Sequence, residues 1–154
     1  MLKTPRGPTS KVAATLVSLV AFVVGGRRLA ARADEVGGVR PWSPALSIPS
    51  TTPFVHAVVR HGDEVLPVYD LAARLGVQSG TGDHLCLVAK RRDGLMAVCI
   101  DADIPTLHTL DPSGIRTTAR QESDMIGVCV IGGEEVPVYS LALLGLQAKQ
   151  ARHW

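Results

Sequence analysis

The sequence is poor in aromatic residues and in net charge. Only six of its 154 residues are Phe, Trp or Tyr, and the formal net charge at pH 7 is +2. Residues 1–40 carry seven Lys or Arg against two acids, whereas the remainder carries nine against twelve. No aromatic residue lies in a basic stripe, so the sequence lacks the pattern that stacks bases and neutralises phosphates. We therefore expect no nucleic-acid partner.

Cysteine is also scarce. Cys86, Cys99 and Cys129 lie in apolar runs and show neither CxxC nor CxxH spacing. An odd count without a pairing pattern fits a reducing compartment better than a secreted disulfide scaffold. We expect small buried side chains rather than reactive thiols or metal ligands.

Catalytic motifs are missing as well. The sequence has no GxSxG nucleophile elbow, and "GVQSGTGDH" lacks the context of a phosphate-binding loop. His56 and His61 lie five residues apart on one predicted strand, which places them on opposite faces. Asp101 and Asp103 share a face and are followed by His108, so a metal-dependent site there is the enzymatic alternative. We expect no enzyme activity, cofactor or metal.

The N-terminal region allows two interpretations. Basic residues precede "VAATLVSLVAFVVGG", and the small-residue "ARA" at 31–33 follows, which resembles a secretory signal. The apolar run is shorter than the roughly 20 residues of a membrane span, so we expect no direct membrane insertion. The alternative is a buried strand, a glycine turn and a second strand, "RRLAARADEVGGV". The choice depends on whether the rest of the fold requires that strand.

The chain repeats one pattern. Residues 57–72 and 127–142 align without a gap at an offset of 70, and eight of the sixteen positions are identical. Each copy predicts a strand, a glycine turn, a second strand and a short helix. Asp70 and Ser140 are expected helix N-caps. The proline in each return strand, in "VLPVY" and "EVPVY", predicts a sheet edge or bulge.

Two further segments share a layout. Both "LVSLVAFVVGGRRLAARADEVGGVRPW" and "HLCLVAKRRDGLMAVCIDADIPTLHTL" read as an apolar strand, a turn and a second strand that runs into acidic residues. Two pseudo-equivalent halves of about five short strands would form paired small barrels with a shared seam. Residues 16–24 would be the first strand of the first half. We predict an all-β fold with short helices, a flexible segment 1–14, a single domain of two intertwined barrels over 15–146, and a tail 147–154.

This succession resembles the CheW family of bacterial chemotaxis coupling proteins. The resemblance covers roughly residues 16–146, and its most specific parts are "LPVYDLAARLG" and the closing "IGV" and "VPVYSL". It implies two SH3-like five-stranded barrels with a hydrophobic groove between them. It also implies a non-catalytic adaptor in cytoplasmic receptor arrays. Such an adaptor joins the cytoplasmic tip of a methyl-accepting receptor to the regulatory domain of a CheA-type histidine kinase.

The sequence departs from the family at two charged positions. Where the family usually has Asn-Leu-Arg-Gly before "VLPV", this chain has Arg60, His61, Gly62 and Asp63, and a common glutamate falls on Gly38. Losing both charges removes directional contacts at a protein interface. We expect a divergent member, of the type found in accessory systems such as the Frizzy pathway, with at least one family contact altered.

The partner-binding surface is expected to be an apolar strip in the first half. Eight residues are predicted to contact a partner: Val36, Gly38, Val39, Trp42, Arg60, Gly62, Asp63 and Val65. Each valine fits a core position equally well. The alternative function is an exported or membrane-tethered β-rich binding protein whose first 33 residues are a signal.

Overall fold

Eleven strands and one short α-helix make up the described part of the chain. The computed structural model describes residues 15–79, 82–118 and 124–144, so the predicted end segments 1–14 and 147–154 lie outside it. The elements are β1 Val17–Val24, β2 Arg27–Arg32, β3 Val36–Pro41, β4 Leu46–Ser47, β5 Val55–His61, β6 Glu64–Tyr69, α1 Leu71–Leu75, β7 His84–Arg91, β8 Gly94–Asp101, β9 Thr106–Leu110, β10 Met125–Ile131 and β11 Glu134–Tyr139. Three 3₁₀ turns cover Ala33–Glu35, Pro112–Gly114 and Leu141–Leu143.

The strands form two sheets. One has the order β10-β11-β2-β1-β9 and the other β3-β7-β8-β6-β5-β4. Each sheet joins two antiparallel hairpins through one short parallel pair, β11 with β2 and β6 with β8. None of the helices in the described ranges has the length and apolar character that crossing a membrane requires.

Both sheets close on themselves in the same way. In the six-stranded sheet β3 pairs with β7, and the chain then bends so that Leu46 of β4 pairs with Val58 of β5. In the five-stranded sheet β9 pairs with β1, and Arg116 further along forms a bridge with Val128 of β10. A bent segment thus joins the two edges of each sheet. We call the five-stranded structure barrel A and the six-stranded structure barrel B.

The predicted division into sequential halves is wrong. The β1–β2 hairpin does not share a barrel with the first repeat, β5–β6; it pairs with the second repeat through β11. The β7–β8 hairpin pairs with the first repeat through β6. After each of these two hairpins, β1–β2 and β7–β8, the chain crosses to the other barrel, from β2 to β3 and from β8 to β9. Parallel pairing needs a long connection, so the partners of a parallel pair need not be neighbours in sequence.

The predicted continuous strand after the first glycine turn is also interrupted. The 3₁₀ turn Ala33–Glu35 separates β2 from β3, and this break lets the chain leave barrel A for barrel B. Val36 and Val39 therefore lie on β3 and not on the second strand.

Three hydrophobic clusters fill the part of the chain that the structure describes. Barrel A encloses a cluster of seven buried residues and barrel B a cluster of six, whereas the seam between the barrels holds fifteen. Strand alternation builds this arrangement, because Phe22 and Val24 of β1 face the seam while Leu19 and Ala21 face the interior of barrel A. Removing residues 1–33 would delete both β1 and β2. The fold therefore requires the apolar N-terminal strand.

The two repeats end differently. The Asp70 carboxylate accepts a hydrogen bond from the Ala73 amide at 3.1 Å, and Gly76 ends α1 in a left-handed conformation, which confirms the first predicted cap. The second predicted cap is wrong. The Ser140 hydroxyl donates to the Glu35 carboxylate at 3.2 Å, and the following turn is 3₁₀. Glu35 competes for the group that would have capped a helix.

The prolines of the return strands occupy positions that need no ladder donor. Counted from the two-residue turn at Gly62–Asp63, Pro67 is in a non-hydrogen-bonded pair with Val58, so its nitrogen points away from β5. On that side the parallel ladder with β8 begins only at Val68. Strand β6 itself lies between β8 and β5, so the predicted sheet edge is present only at the position of Pro67 and not for the whole strand.

Candidate functional site

Four of the predicted contact residues lie together at one end of barrel B. Gly62 and Asp63 form the exposed turn between β5 and β6, and Gly62 has a φ of 64°. Arg60 and Val65 are directly opposite each other beside this turn, and Val65 is 62% exposed. The turn and its flanking pair thus present an accessible surface.

The outward faces of β4, β5 and β6 extend this surface. Val59 and Leu66 belong to the interior cluster of barrel B, so the alternate residues on these strands point outward. The register aligns Leu46 with Val58, Val58 with Pro67, and Arg60 with Val65. We call this surface the outer strip; its residues are Leu46, Val58, Arg60, Val65 and Pro67.

Leu46 was not among the residues predicted from sequence. It is 69% exposed on the two-residue strand β4, inside the Pro-rich link. A lone leucine among Pro and Ser gives no periodic signal, and only the pairing of β4 with β5 places it on the outer strip. The exposed proline-rich link itself was the available clue.

The predicted residues on β3 divide between surface and core. Gly38 and Val39 are exposed, and Gly38 lies at a bulge with a φ of 148°. Val36 is half-buried and packs against the seam. Trp42 is half-buried and packs against the interior cluster of barrel B. The structure therefore does not place Val36 or Trp42 fully on a binding surface.

A polar contact joins β3 to the end of β5. The Arg40 guanidinium lies 2.8 Å from Nδ1 of His61, across the closure of barrel B. This contact brings the strand that carries Val39 next to the Gly62–Asp63 turn.

A groove of about 640 Å³ borders the outer strip. Val65 and Pro67 of β6 form one wall, the β7–β8 hairpin forms another, and Leu144 closes one side. Leu144 follows the last strand of barrel A, so the groove lies where the two barrels meet. Arg91 holds this edge, because its guanidinium donates to the carbonyl oxygens of Leu141 and Leu144 at 3.4 and 2.6 Å.

Tyr69 lies at the base of this groove and is 2% exposed. Burial, the largest cause, raises the pKa of its phenol to about 12. The ring of Phe54 meets it edge-on with centroids 5.8 Å apart. Tyr69 belongs to the cluster of the seam, so its role in this structure is packing.

A buried ion pair ties the barrels together near the groove. Arg74 of α1 contacts the Asp124 carboxylate at 2.8 Å through Nη2 and at 3.2 Å through Nε. Their side chains are 17% and 1% exposed. Arg74 belongs to barrel B, whereas Asp124 immediately precedes β10 of barrel A, so the pair spans the seam.

The enzymatic alternative at Asp101, Asp103 and His108 is not assembled. The two Asp101 oxygens accept hydrogen bonds from the Gly25 and Gly26 amides, each at 2.9 Å. His108 instead contacts the Thr106 hydroxyl at 2.7 Å. Within residues 15–79, 82–118 and 124–144, no group of three His, Cys, Asp or Glu could hold a metal. Asp101 holds the β1–β2 turn of barrel A in place.

The cysteines are largely buried, as expected. Cys86 and Cys129 are buried and Cys99 is half-buried. Burial raises the pKa of all three thiols, that of Cys99 to about 11.

Comparison with known proteins gives consistent results. The CheW-like domain family matches residues 18–136. A Rhizobium etli protein named "Probable chemotaxis protein CheW" is 30% identical over 109 residues, covering 70% of each chain. The "Chemotaxis protein CheW" of Rhizobium meliloti is 30% identical over 108 residues, covering 69% of each.

The fold is similar to a solved structure as well. The crystal structure of the scaffolding protein TtCheW from Thermoanaerobacter tengcongensis matches with a TM-score of 0.73 at 16% identity. The match covers 83% of this chain and 86% of that one. At this identity the likeness shows the fold alone, and it confirms the predicted all-β architecture of two SH3-like barrels.

Proposed function

We propose that this chain, which belongs to the family of CheW-like proteins, is a non-catalytic adaptor of a chemosensory pathway. It couples the cytoplasmic tip of a methyl-accepting receptor to the regulatory domain of a CheA-type histidine kinase, in the cytoplasm at receptor arrays. The names of its two curated relatives, both chemotaxis proteins, support this role.

The observation that carries the proposal is the outer strip beside the groove. Leu46 and Val65 are 69% and 62% exposed, and both lie on this strip, Val65 beside the exposed turn of barrel B. Apolar side chains gathered on a surface next to a groove are typical of protein interaction sites. An adaptor acts by holding two proteins at once, which requires surfaces of this kind and no reactive groups.

The turn supports an altered contact. Gly62 is exposed with a left-handed φ, and no atom lies within 4 Å of where a Cβ would be. A side chain at this position would project into solvent and could reach a partner, so its absence removes a contact without affecting packing. Gly38 also has an open Cβ position. We propose that the receptor contact is retained and the kinase contact is weakened.

Separate binding measurements test this proposal. The full chain is titrated by calorimetry with a receptor signalling tip and, in a second experiment, with a kinase regulatory domain. We expect a measurable dissociation constant for the receptor tip and weaker binding of the kinase domain. Tight binding to the kinase domain alone would contradict the proposed weakening of the kinase contact. Binding to neither protein would contradict the adaptor function itself.

Val65→Asp tests the outer strip. Val65 is 62% exposed, so we expect the free energy of unfolding to change by less than about 0.5 kcal/mol. A buried charge at a contact should raise the dissociation constant for the receptor tip at least about tenfold. Val36 is unsuitable for this test because it packs against the seam.

The matched control is Glu135→Ala, at the equivalent position of barrel A. We expect this variant to bind as tightly as the unmodified chain. If circular dichroism shows that Val65→Asp is unfolded, or if the control loses as much affinity, the assignment of the outer strip is wrong.

A further inference from the structure

Cys86 of β7 and Cys99 of β8 are directly opposite each other in an antiparallel hairpin. The hairpin closes at the pair Arg91 and Gly94 around a two-residue turn, which makes that pair hydrogen-bonded. Hydrogen-bonded and non-hydrogen-bonded pairs alternate along the two strands, and the cysteine pair is the fifth pair after Arg91 and Gly94. They therefore form a non-hydrogen-bonded pair, for which the Cα atoms are about 4.5 Å apart. A disulfide spans Cα separations of roughly 4.4–6.8 Å.

The two thiols also point to the same side of the sheet. Cys86 and Ala97 belong to the cluster inside barrel B, and Cys99 lies two residues beyond Ala97 on the same strand. The charge of a Cys86 thiolate is one of the causes that raise the pKa of Cys99, which indicates that the sulfurs are close. Cys129 lies inside barrel A and is not a competing partner.

We propose that Cys86 and Cys99 form an oxidisable dithiol that a peroxide converts into a cross-strand disulfide inside barrel B. This inference is independent of the adaptor role. It assigns a modification site to a hairpin that packs against both the interior of barrel B and the seam.

The chemistry balances with peroxide as the oxidant. Arg40, opposite Cys86, offsets part of the effect of burial on the pKa of that thiol, so Cys86 is the first thiolate. The thiolate attacks one peroxide oxygen, the O–O bond breaks, and the leaving hydroxide is protonated to water. The Cys99 sulfur then displaces the hydroxyl of the Cys86 sulfenic acid, and the Cys99 proton leaves with it as a second water. Two electrons leave the sulfurs and reduce the peroxide.

Tryptic mapping of the unmodified full chain tests the proposal. Trypsin cleaves at Lys90, Arg91 and Arg92, which lie between the two cysteines and separate them into different peptides. After treatment with hydrogen peroxide, we expect the peptides 75–90 and 93–116 to remain joined, with the combined mass lower by two hydrogen atoms. Dithiothreitol should separate them. We expect the reaction to be slow at neutral pH, because burial raises the pKa of both thiols.

Two variants sharpen the test. Cys129→Ser should give the same joined peptides in the same yield, whereas Cys99→Ser should give none. A chain that forms only intermolecular dimers, a link that includes Cys129, or higher oxidation of each cysteine without a link would each overturn the proposal. The mapping of the unmodified chain decides the question even if a variant fails to fold.

Discussion

The repeated hairpins of barrel A and barrel B, and the segments that pair with their first strands, have the same register seventy residues apart, yet they present different side chains to solvent. Leu46 pairs with Val58 in barrel B, and Arg116 pairs with Val128 in barrel A. The comparison extends to the next pair of strands: Arg60 is opposite Val65, and its counterpart Val130 is opposite Glu135. Where barrel B exposes a leucine and a valine, barrel A has an ion pair of 3.0 Å between Arg116 and Glu135.

The interiors of the two barrels do not differ in this way. Val59, Leu66 and Val68 fill barrel B, and their counterparts in barrel A are Cys129, Val136 and Val138. Packing constrains the interior of both barrels, so small apolar residues recur there. The outer faces are free of that constraint. Barrel A exposes Val130 at 56%, but it places the charged Arg116 and Glu135 where barrel B has Leu46 and Val65. This contrast favours barrel B as the barrel that docks a partner.

The ends of the two repeats differ in their contacts with an acidic residue, and we infer that this residue sets the difference. Glu35 lies between β2 and β3, and its carboxylate accepts hydrogen bonds from the Leu141 amide at 2.8 Å and from the Ser140 hydroxyl. Among the described hydrogen bonds, no comparable acid reaches the start of α1, where Asp70 accepts from its own helix. Nearly identical sequences therefore end in a helix in one barrel and in a 3₁₀ turn in the other.

The largest effect should come from the seam that both barrels share. Phe22 is 1% exposed there, so Phe22→Ala should lower the free energy of unfolding by about 3–5 kcal/mol. Since fifteen buried residues join the barrels, both should unfold in a single transition in urea. Leu107→Ala on the neighbouring strand β9, 66% exposed, is the control and should cost less than about 0.5 kcal/mol. Two separate transitions would show that the barrels are independent.

The next effect should come from the ion pair across the seam. Arg74→Ala leaves the Asp124 carboxylate, 1% exposed, without this guanidinium, and we expect a loss of about 3 kcal/mol. Arg116→Ala is the matched control in barrel A, because Arg116 and Glu135 are 54% and 71% exposed. Such a surface pair contributes at most about 1 kcal/mol. Urea unfolding measures both variants. Equal losses in the free energy of unfolding would mean that burial does not make the Arg74–Asp124 pair more important for stability than the Arg116–Glu135 pair.

A smaller effect is expected at the cap of α1. Asp70→Ala removes the acceptor for the Ala73 amide and should cost about 1 kcal/mol. Asp70→Ser copies the residue that precedes the 3₁₀ turn of barrel A, and it should retain most of the stability because serine is also a good cap. Thermal unfolding of both variants checks this. If the serine variant loses as much stability as the alanine variant, then the replacement of Asp by Ser, and not Glu35, explains why one repeat ends in a helix and the other in a 3₁₀ turn.

The smallest effect on stability should come from exchanging the outer faces. The double variant Leu46→Arg and Val65→Glu copies the ion pair of barrel A onto exposed positions, so the free energy of unfolding should change by less than about 0.5 kcal/mol. We expect this double variant to show no measurable binding of the receptor tip in calorimetry. The reverse exchange in barrel A, Arg116→Leu with Glu135→Val, should keep binding. Loss of binding in the reverse exchange would place the docking face on barrel A.

Local structure was largely predictable from the sequence. The two repeated hairpins, the Asp70 cap, the edge at Pro67 and the family fold all followed from short patterns or their succession. The candidate site was predictable only in part, because exposure at the Gly62–Asp63 turn follows from local turn chemistry. The partial burial of Val36 and Trp42, and the exposure of Leu46, depend on strands that are distant in sequence.

The sequence by itself determined where the two repeated hairpins and the first helix lie, because glycine turns, alternation and side-chain caps act over a few residues. Only the tertiary structure decided which strands share a barrel and which group caps the second repeat. The parallel pairs β11–β2 and β6–β8 and the contact of Glu35 with Leu141 join residues far apart in the chain. Such pairings depend on how hydrophobic faces are buried together, and no local pattern specifies them.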